Sequence, residues 1–468
     1  MKQFIILFVY ISLIPSLSCK KFVYIDAPTT SLAGNITYES NASAAAVLTG
    51  IYSNLSTNGT FAGGPSSIGY LCGNSADELT NYSHGSVSYS FYANSYTSNF
   101  TAFWGPIYQQ IYVSNAAIEG LSNSHGVSPS LKSQLLGEAK FMRAFLHFYA
   151  TNLFGDIPLI TTTNYQTNNV AHRIPSTKVY QQIISDLLDA QGLLGDGFFD
   201  PSGNSTTERI RPNKGAVASL LARVYLYEQK WDSAELEASN VISNMAFYTL
   251  DSLDAVFLKN STETIWSLQS IQPNYNTADG QYYILTAPPG SGRFTVAVSP
   301  QLINAFETGD HRVSHWIGTY TNSGQTYYYP YKYKNGTYTT SPPTEYEVVF
   351  RLSEQHLIRA EARARQGNFS GAIEDLNMIR NRAGLANTSA TSQVDILNAV
   401  FHERQVELFT EWGHRWFDLK RTDSVNPIMS IVVPQKGGTW NSYKELFPIP
   451  LSEISLNSNL TQNPGYTN

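Results

Sequence analysis

The chain reads as predominantly α: a scaffold of helix pairs with a loop-rich ligand-binding face and a few short β-hairpins. Three observations carry that reading. Long stretches repeat their apolar residues at helical spacing, and two distant segments align as the same helix pair. One internal stretch, 249–348, loses that periodicity in favour of Gly, Pro and Tyr. At 468 residues and 42% hydrophobic content, the chain can bury a sizeable core.

A first helix is expected around Ala42–Ser53, followed by loops over 56–98, where Gly, Ser, Asn and Tyr crowd out any period. Helices resume at about Phe100–Leu121 and Leu131–Leu153. In the second, Phe141, Phe145, Phe148 and Tyr149 form a core stripe, and Gly155 and Pro158 stop the helix. Val179–Leu194 is a further amphipathic segment. Leu221–Ile242 and Ile358–Arg380 then align without gaps, pairing Ala222 with Ala360, Trp231 with Phe369 and Ala234 with Ala372. Small residues that let two helices approach, with an aromatic to fill the gap, make a tetratricopeptide-like unit. Between them, Tyr329, Tyr331 and Tyr333 alternate as on one strand face, with Lys332 and Lys334 on the other. The last long helix covers Val394–Trp412. It places Glu403, Glu407 and Glu411 four apart, a ladder that repels itself by a few tenths of a kcal/mol per pair. Arg404, Arg415 and Arg421 are the expected counter-charges.

The N-terminus has the form of a signal peptide over residues 1–18, with Lys2 ahead of the apolar run Phe4–Leu17. Cys19 follows Ser18 where a lipoprotein cysteine would be acylated, although Ser16 stands where such boxes usually carry leucine. Residues 19–40 then form an extended tether. Lipidation of Cys19 leaves Cys72 alone and the mature chain without a disulfide. Two regions follow, 41–248 and 249–468, the second beginning with the loop-rich 249–348.

Composition narrows the function. Charged residues are only 14% of the chain and the net charge is −6, with no basic run, which argues against nucleic acid. His402-Glu403 lacks a histidine at the fourth position, no G-x-S-x-G is present, and the Gly-rich turns lack the Lys-Ser/Thr of a phosphate loop. No metal, cofactor or catalytic set is assigned. Glu407 and Glu411 could satisfy glycosidase spacing but read as part of a salt-bridge network. Thirty tyrosines suit a neutral, hydroxyl-rich ligand, whose C–H faces stack on rings while its hydroxyls meet amides and carboxylates. Two windows fit. One holds Asn74, Asp77, Tyr82, Tyr89, Tyr92 and Tyr96; the other holds Tyr282, Tyr283, Trp316, Tyr327, Tyr328 and Tyr329.

The run FHERQVELFTEWGHRWFDLKR (401–421) and the tail LFPIPLSEISLNSNLTQNPGY (446–466) together closely resemble the C-terminal signature of the SusD/RagB family. RAFLHFYATNLFGDIPL resembles one of its N-terminal stretches, and Phe103-Trp104, Tyr108, Asn115, Asp310 and Arg312 match structural positions. The resemblance implies a non-enzymatic, lipid-anchored lipoprotein of the bacterial outer membrane, surface-exposed in the sense that it faces the medium. It would capture oligosaccharide and pass it to a SusC-like TonB-dependent transporter. A peptide-binding member of the RagB kind is the alternative. A helical glycoside hydrolase and a helical-repeat adaptor are the readings from other classes.

Overall fold

Helices with one apolar stripe must share it, and this chain stacks them in consecutive pairs. The computed structural model describes residues 37–56, 61–100 and 102–467, so the signal segment, Cys19 and most of the tether lie outside the described residues. The N-terminal half carries α1 (Asn41–Ser56), α2 (Ile68–Ser75), α3 (Val87–Tyr92), α4 (Trp104–Asn123) and α5 (Pro129–Phe154). It continues with α6 (Ser176–Leu193), α7 (Lys214–Tyr227) and α8 (Trp231–Ile242). After the loop-rich stretch, which holds α9 (Ala278–Tyr283) and α10 (His311–Trp316), come α11 (Leu352–Arg365) and α12 (Phe369–Arg382). Then come α13 (Gln393–Glu407), α14 (His414–Arg421), α15 (Val425–Gln435) and the short α16 (Leu451–Leu456). The stretch 56–98, expected as loops, therefore holds two helices. Their N-caps, Ser67 and Ser86, accept from Tyr70 N and Tyr89 N, a local signal that hydrophobic periodicity does not register.

The α5 stripe is the centre of the main core. Phe141, Phe145, Phe148 and Tyr149 are buried, and Phe141 and Phe145 hold Trp266 edge-on at 5.2 and 5.5 Å. The helix stops as expected at Gly155 (φ +76°), where a Cβ would stand 2.9 Å from Leu446 Cδ1. Its terminal carbonyls are met by cations: Lys420 donates to Asn152 O and Arg173 to Phe154 O. Both charges also complement the negative end of the helix dipole.

The repeat is present as two packed pairs, α7–α8 and α11–α12. Ala222, Ala234, Ala360 and Ala372 are fully buried, and Ala222, Leu226, Ala234 and Ala238 pack on Ile358 and Ala362 between the pairs. Trp231 and Phe369 do open the second helix of each pair, but they are only partly buried, and Arg365 lies over Trp231 at 5.4 Å. They cover a rim rather than fill an inter-helix gap.

Among the described residues, three two-stranded antiparallel sheets complete the fold. Only β4 (Ile317–Asn322) and β5 (Gln325–Pro330) form a hairpin. β1 (Leu79–Asn81) pairs with β3 (Val296–Val298), and β2 (Thr264–Leu268) with β6 (Glu347–Arg351), each across a long stretch of sequence. The alternation read over Tyr329–Tyr333 breaks at Pro330, where β5 ends; Lys332 and Tyr333 are both buried beyond it.

The carboxylate ladder finds other partners than those expected. Arg404 donates to Asp418, Arg415 to Asp77, and Arg421 to Glu361 and Asp418. Glu403 is held instead by Arg312 at 2.7 Å, and Glu407 by Arg351 at 2.5 Å, by Arg312 at 2.9 Å and by Arg382. Helix α13 ends at Glu407, and the left-handed residues Thr410 and Trp412 turn Glu411 back onto Arg351 at 2.8 Å and Lys332. Burial alone would raise the Glu407 pKa, but Arg382, Arg351 and Arg312 outweigh it and hold the carboxyl well below the usual range. The guanidinium groups come from α10, β6 and α12, so the ladder bolts three segments together.

Candidate functional site

The structure brings the two tyrosine windows together. Tyr82 follows β1 and Tyr327 lies on β5, and their rings meet edge-on with centroids 5.7 Å apart. Tyr89 and Tyr92 lie on successive positions of one face of α3, 5.6 Å apart, and His84 stacks on Tyr89 at 4.4 Å. On the hairpin, Tyr320 stands opposite Tyr327. Tyr82 is 37% exposed, and Tyr89, Tyr92, Tyr320 and Tyr327 are half-buried, so their faces reach solvent. Tyr328, exposed, and Tyr329, half-buried, continue the strand, the second lying so close over Gly318 that a Cβ there would meet its ring at 2.2 Å. A ridge of rings thus runs from α3 to the hairpin.

A cavity of about 200 Å³ lies where residues 62–65, α9 and β6 meet. Tyr282 lines it together with Gln272, Asn276, Gln281 and Glu347. The loop that follows α9 returns to the ridge: a Cβ on Gly290 would lie 3.4 Å from Tyr82 O. Rings and amides are the groups that a neutral hydroxylated ligand needs. Beside the cavity, Asp279 and Glu347 hydrogen-bond to each other. Burial pushes Asp279 up to about 7 and Glu347 well above the ordinary carboxyl range.

Five residues of the sequence-based set are turned inward. Trp316 is fully buried and donates its Nε1–H to Leu253 O at 2.8 Å. Tyr283 is buried and stacked on Tyr70 at 5.4 Å. Asn74 donates to Tyr70 O and accepts from Asn81. Asp77 accepts both nitrogens of Arg415, at 2.8 and 2.7 Å, and Arg415 overcomes the burial that would otherwise raise its pKa. Tyr96 donates to Lys444 O and packs on Phe447. Burial takes these five side chains out of a ligand's reach, because each completes packing or satisfies a polar group that the fold itself creates. Trp104 and Arg312, read as structural, are buried. Sequence reasoning missed Gln272, Asn276, Gln281, Asp279 and Glu347. Nothing in NYNTADGQYY or TEYEVVF marks those side chains as neighbours, since strand pairing across the chain assembles them.

Two family models match this chain. The SusD family model covers residues 313–466, and a second model, described as starch-binding associating with outer membrane, covers 33–226. The chain belongs to the SusD/RagB family. Among its relatives, SusD-like protein P2 of Formosa agariphila is 27% identical over 419 residues, spanning 78% of this chain and 80% of that one. A SusD superfamily protein from Parabacteroides distasonis superposes with a TM-score of 0.75 at 26% identity, covering 91% of this chain and 99% of that one. A structure described as a laminarin-binding SusD-like protein has a TM-score of 0.74 at 24% identity over 92% of this chain and all of the other, a likeness of fold. The SusD/RagB signature in the tail has a physical basis here. Asn463 donates to Phe154 O and Phe447 O, and Tyr466 to Leu446 O, so the tail's motif residues lace it to the end of α5.

Proposed function

We propose that this SusD-like protein binds an oligosaccharide along the tyrosine ridge without cleaving it and passes it to a SusC-like TonB-dependent transporter. Anchorage to the outer membrane is through lipid on Cys19. The observation that carries the reading is the meeting of Tyr82 with Tyr327, which turns two separate stretches into one aromatic surface; the loop that follows α9, a wall of the amide-lined cavity, also reaches Tyr82. The description of the matched starch-binding family and the laminarin-binding neighbour support a glycan, and the former supports the membrane. The carboxyl pair supports a non-catalytic role. Asp279 and Glu347 touch, whereas glycosidases hold their carboxyl groups roughly 5–9.5 Å apart.

The test is a glycan array probed with the chain starting after Cys19, followed by calorimetry on the glycan retained. Tyr82→Ala with Tyr327→Ala should weaken binding by about 1–3 kcal/mol, by analogy with ring stacking on nucleobases. Retention of peptides but of no glycan would favour the peptide-binding alternative, and sugar shortened after long incubation would make the protein a hydrolase. Anchoring has its own check: Cys19→Ala should move the full chain from the membrane to the soluble fraction, and persistence in a salt-washed membrane pellet would refute it.

A further inference from the structure

We propose that Asp279 and Glu347 form a proton-held catch on the wall of the amide-lined cavity. With its proton, the pair keeps the cavity shaped for a neutral hydroxyl-bearing group; without it, α9 is released and capture weakens. The inference rests on the glycan reading and adds a control to the same site.

Glu347 stands at the start of β6 and Asp279 in the first turn of α9, both more than nine-tenths buried. Their side chains hydrogen-bond to each other, which two carboxyl groups can do only while one carries a proton. Among the described residues, no Lys, Arg or His lies within salt-bridge distance of either, and Asp279 Oδ1 has no partner. The surrounding groups come from every side. The Gly64 N–H favours the ionised Asp279, and Tyr333 reaches Glu347 while accepting from Val348 N. Tyr283, the last residue of α9, stacks on Tyr70, and the phenols of both lie close enough for Asp279 to raise their pKa values. Glu411 adds negative charge, and Lys332, the cation that acts on Asp279, is spent on Glu411 and on the carbonyls of Glu407 and Phe409. Nothing is left to neutralise a second negative charge, so burial favours retention of the proton.

Helix α9 is clamped tightly enough for that charge to matter. A Cβ on Gly63 would stand 2.7 Å from Ala278 Cβ, and one on Gly280 would stand 2.7 Å from Asn335 O. Ala278, Gln281 and Tyr282 of α9 form one cavity wall, and Glu347 is the only ionisable carboxyl among the cavity's lining residues. Loss of the shared proton puts two charges in contact at the joint between α9 and β6. The relief available is movement of α9, which carries Tyr282 and Gln281 with it.

Hydrogen exchange on the full chain tests the catch. Protection factors over residues 279–284 should fall about tenfold or more between pH 6 and pH 9, and Glu347→Gln should remove that dependence. Unchanged protection in the parent, or an equal fall in Glu347→Gln, would overturn the proposal. Should that variant not fold, infrared spectra of the parent decide. A protonated-carboxyl band at pH 6 that is lost by pH 9 and persists in Glu78→Gln, whose buried carboxyl is also raised to about 8, supports the catch, and its absence at pH 6 refutes it. Affinity for the glycan retained on the array should fall over the same range in the parent only; flat affinity despite a changing exchange rate would refute the link to capture. Failure to retain any glycan at any pH defeats the glycan reading, while exchange still decides the catch.

Discussion

Among the buried carboxyl groups of this molecule, two sets are handled in opposite ways. Glu263, Glu403, Glu407 and Glu411 are met by Arg312, Arg351, Arg380 and Arg382, gathered from across the chain. Asp279 and Glu347 are met chiefly by each other. Glu407 is held ionised to low pH, and Asp279 is held protonated up to about 7. The residue type is the same; the neighbours decide whether a buried carboxyl acts as a rivet or as a titratable group. Three of the four rivets, Glu403, Glu407 and Glu411, lie in the sequence signature, where they join elements. The titratable pair lies beside the cavity.

The comparison breaks most visibly at Arg351. Arg351→Met removes one partner of each of Glu263, Glu407 and Glu411 at once and should cost about 3–5 kcal/mol, measured by urea denaturation. A loss under about 1 kcal/mol would mean that the remaining arginines suffice. Next in size is the pH response, which should differ in sign between the two sets. The lowered Glu407 contributes stability that is complete above its unfolded pKa and disappears as pH falls below about 4. The raised Asp279 contributes stability that is complete below about 4 and is lost as pH rises through about 7. Urea midpoints followed over pH should therefore lose their slope between about 4 and 7, at most about 1.4 kcal/mol per pH unit, in Asp279→Asn. An unaltered slope would exclude Asp279 as a source of it. Smaller still, Trp231→Ala and Phe369→Ala should each cost about 1–3 kcal/mol, below the 3–5 typical of a fully buried ring, because both are rim residues. The smallest stability effect should be that of Tyr82→Ala, within about 0.5 kcal/mol, since its ring is exposed. A large loss of stability there would move the ridge from the ligand to the fold.

The long helices were legible because their signal is local, whereas the short α2 and α3 were not. The α5 stripe, the stop at Gly155 and the matched alanines of the repeat each lie within a few turns of chain. The site was legible only as two regions. Tyr82 and Tyr327 were both chosen, but composition could not separate them from Tyr283 or Trp316, whose burial depends on which loop covers them. The partners of the glutamate ladder were misread for a related reason. Arginines adjacent in sequence point to Asp77, Glu361 and Asp418, while the effective ones arrive by β2–β6 pairing and by the packing of α10 and α12.

The tail also sets an order of events. Phe447 lies among Phe91, Phe103 and Trp416, and its N–H bonds to Leu153 O. An aromatic cluster begun near residue 91 is therefore closed by a ring more than three hundred positions later. Contacts of such sequence separation form late and slowly. A growing chain must hold that cluster open, with α5 uncapped at its C-terminal end, until nearly the whole sequence exists. A truncation before Leu446 would leave a half-built aromatic surface exposed to its neighbours, so its expected failure is aggregation rather than a smaller folded protein.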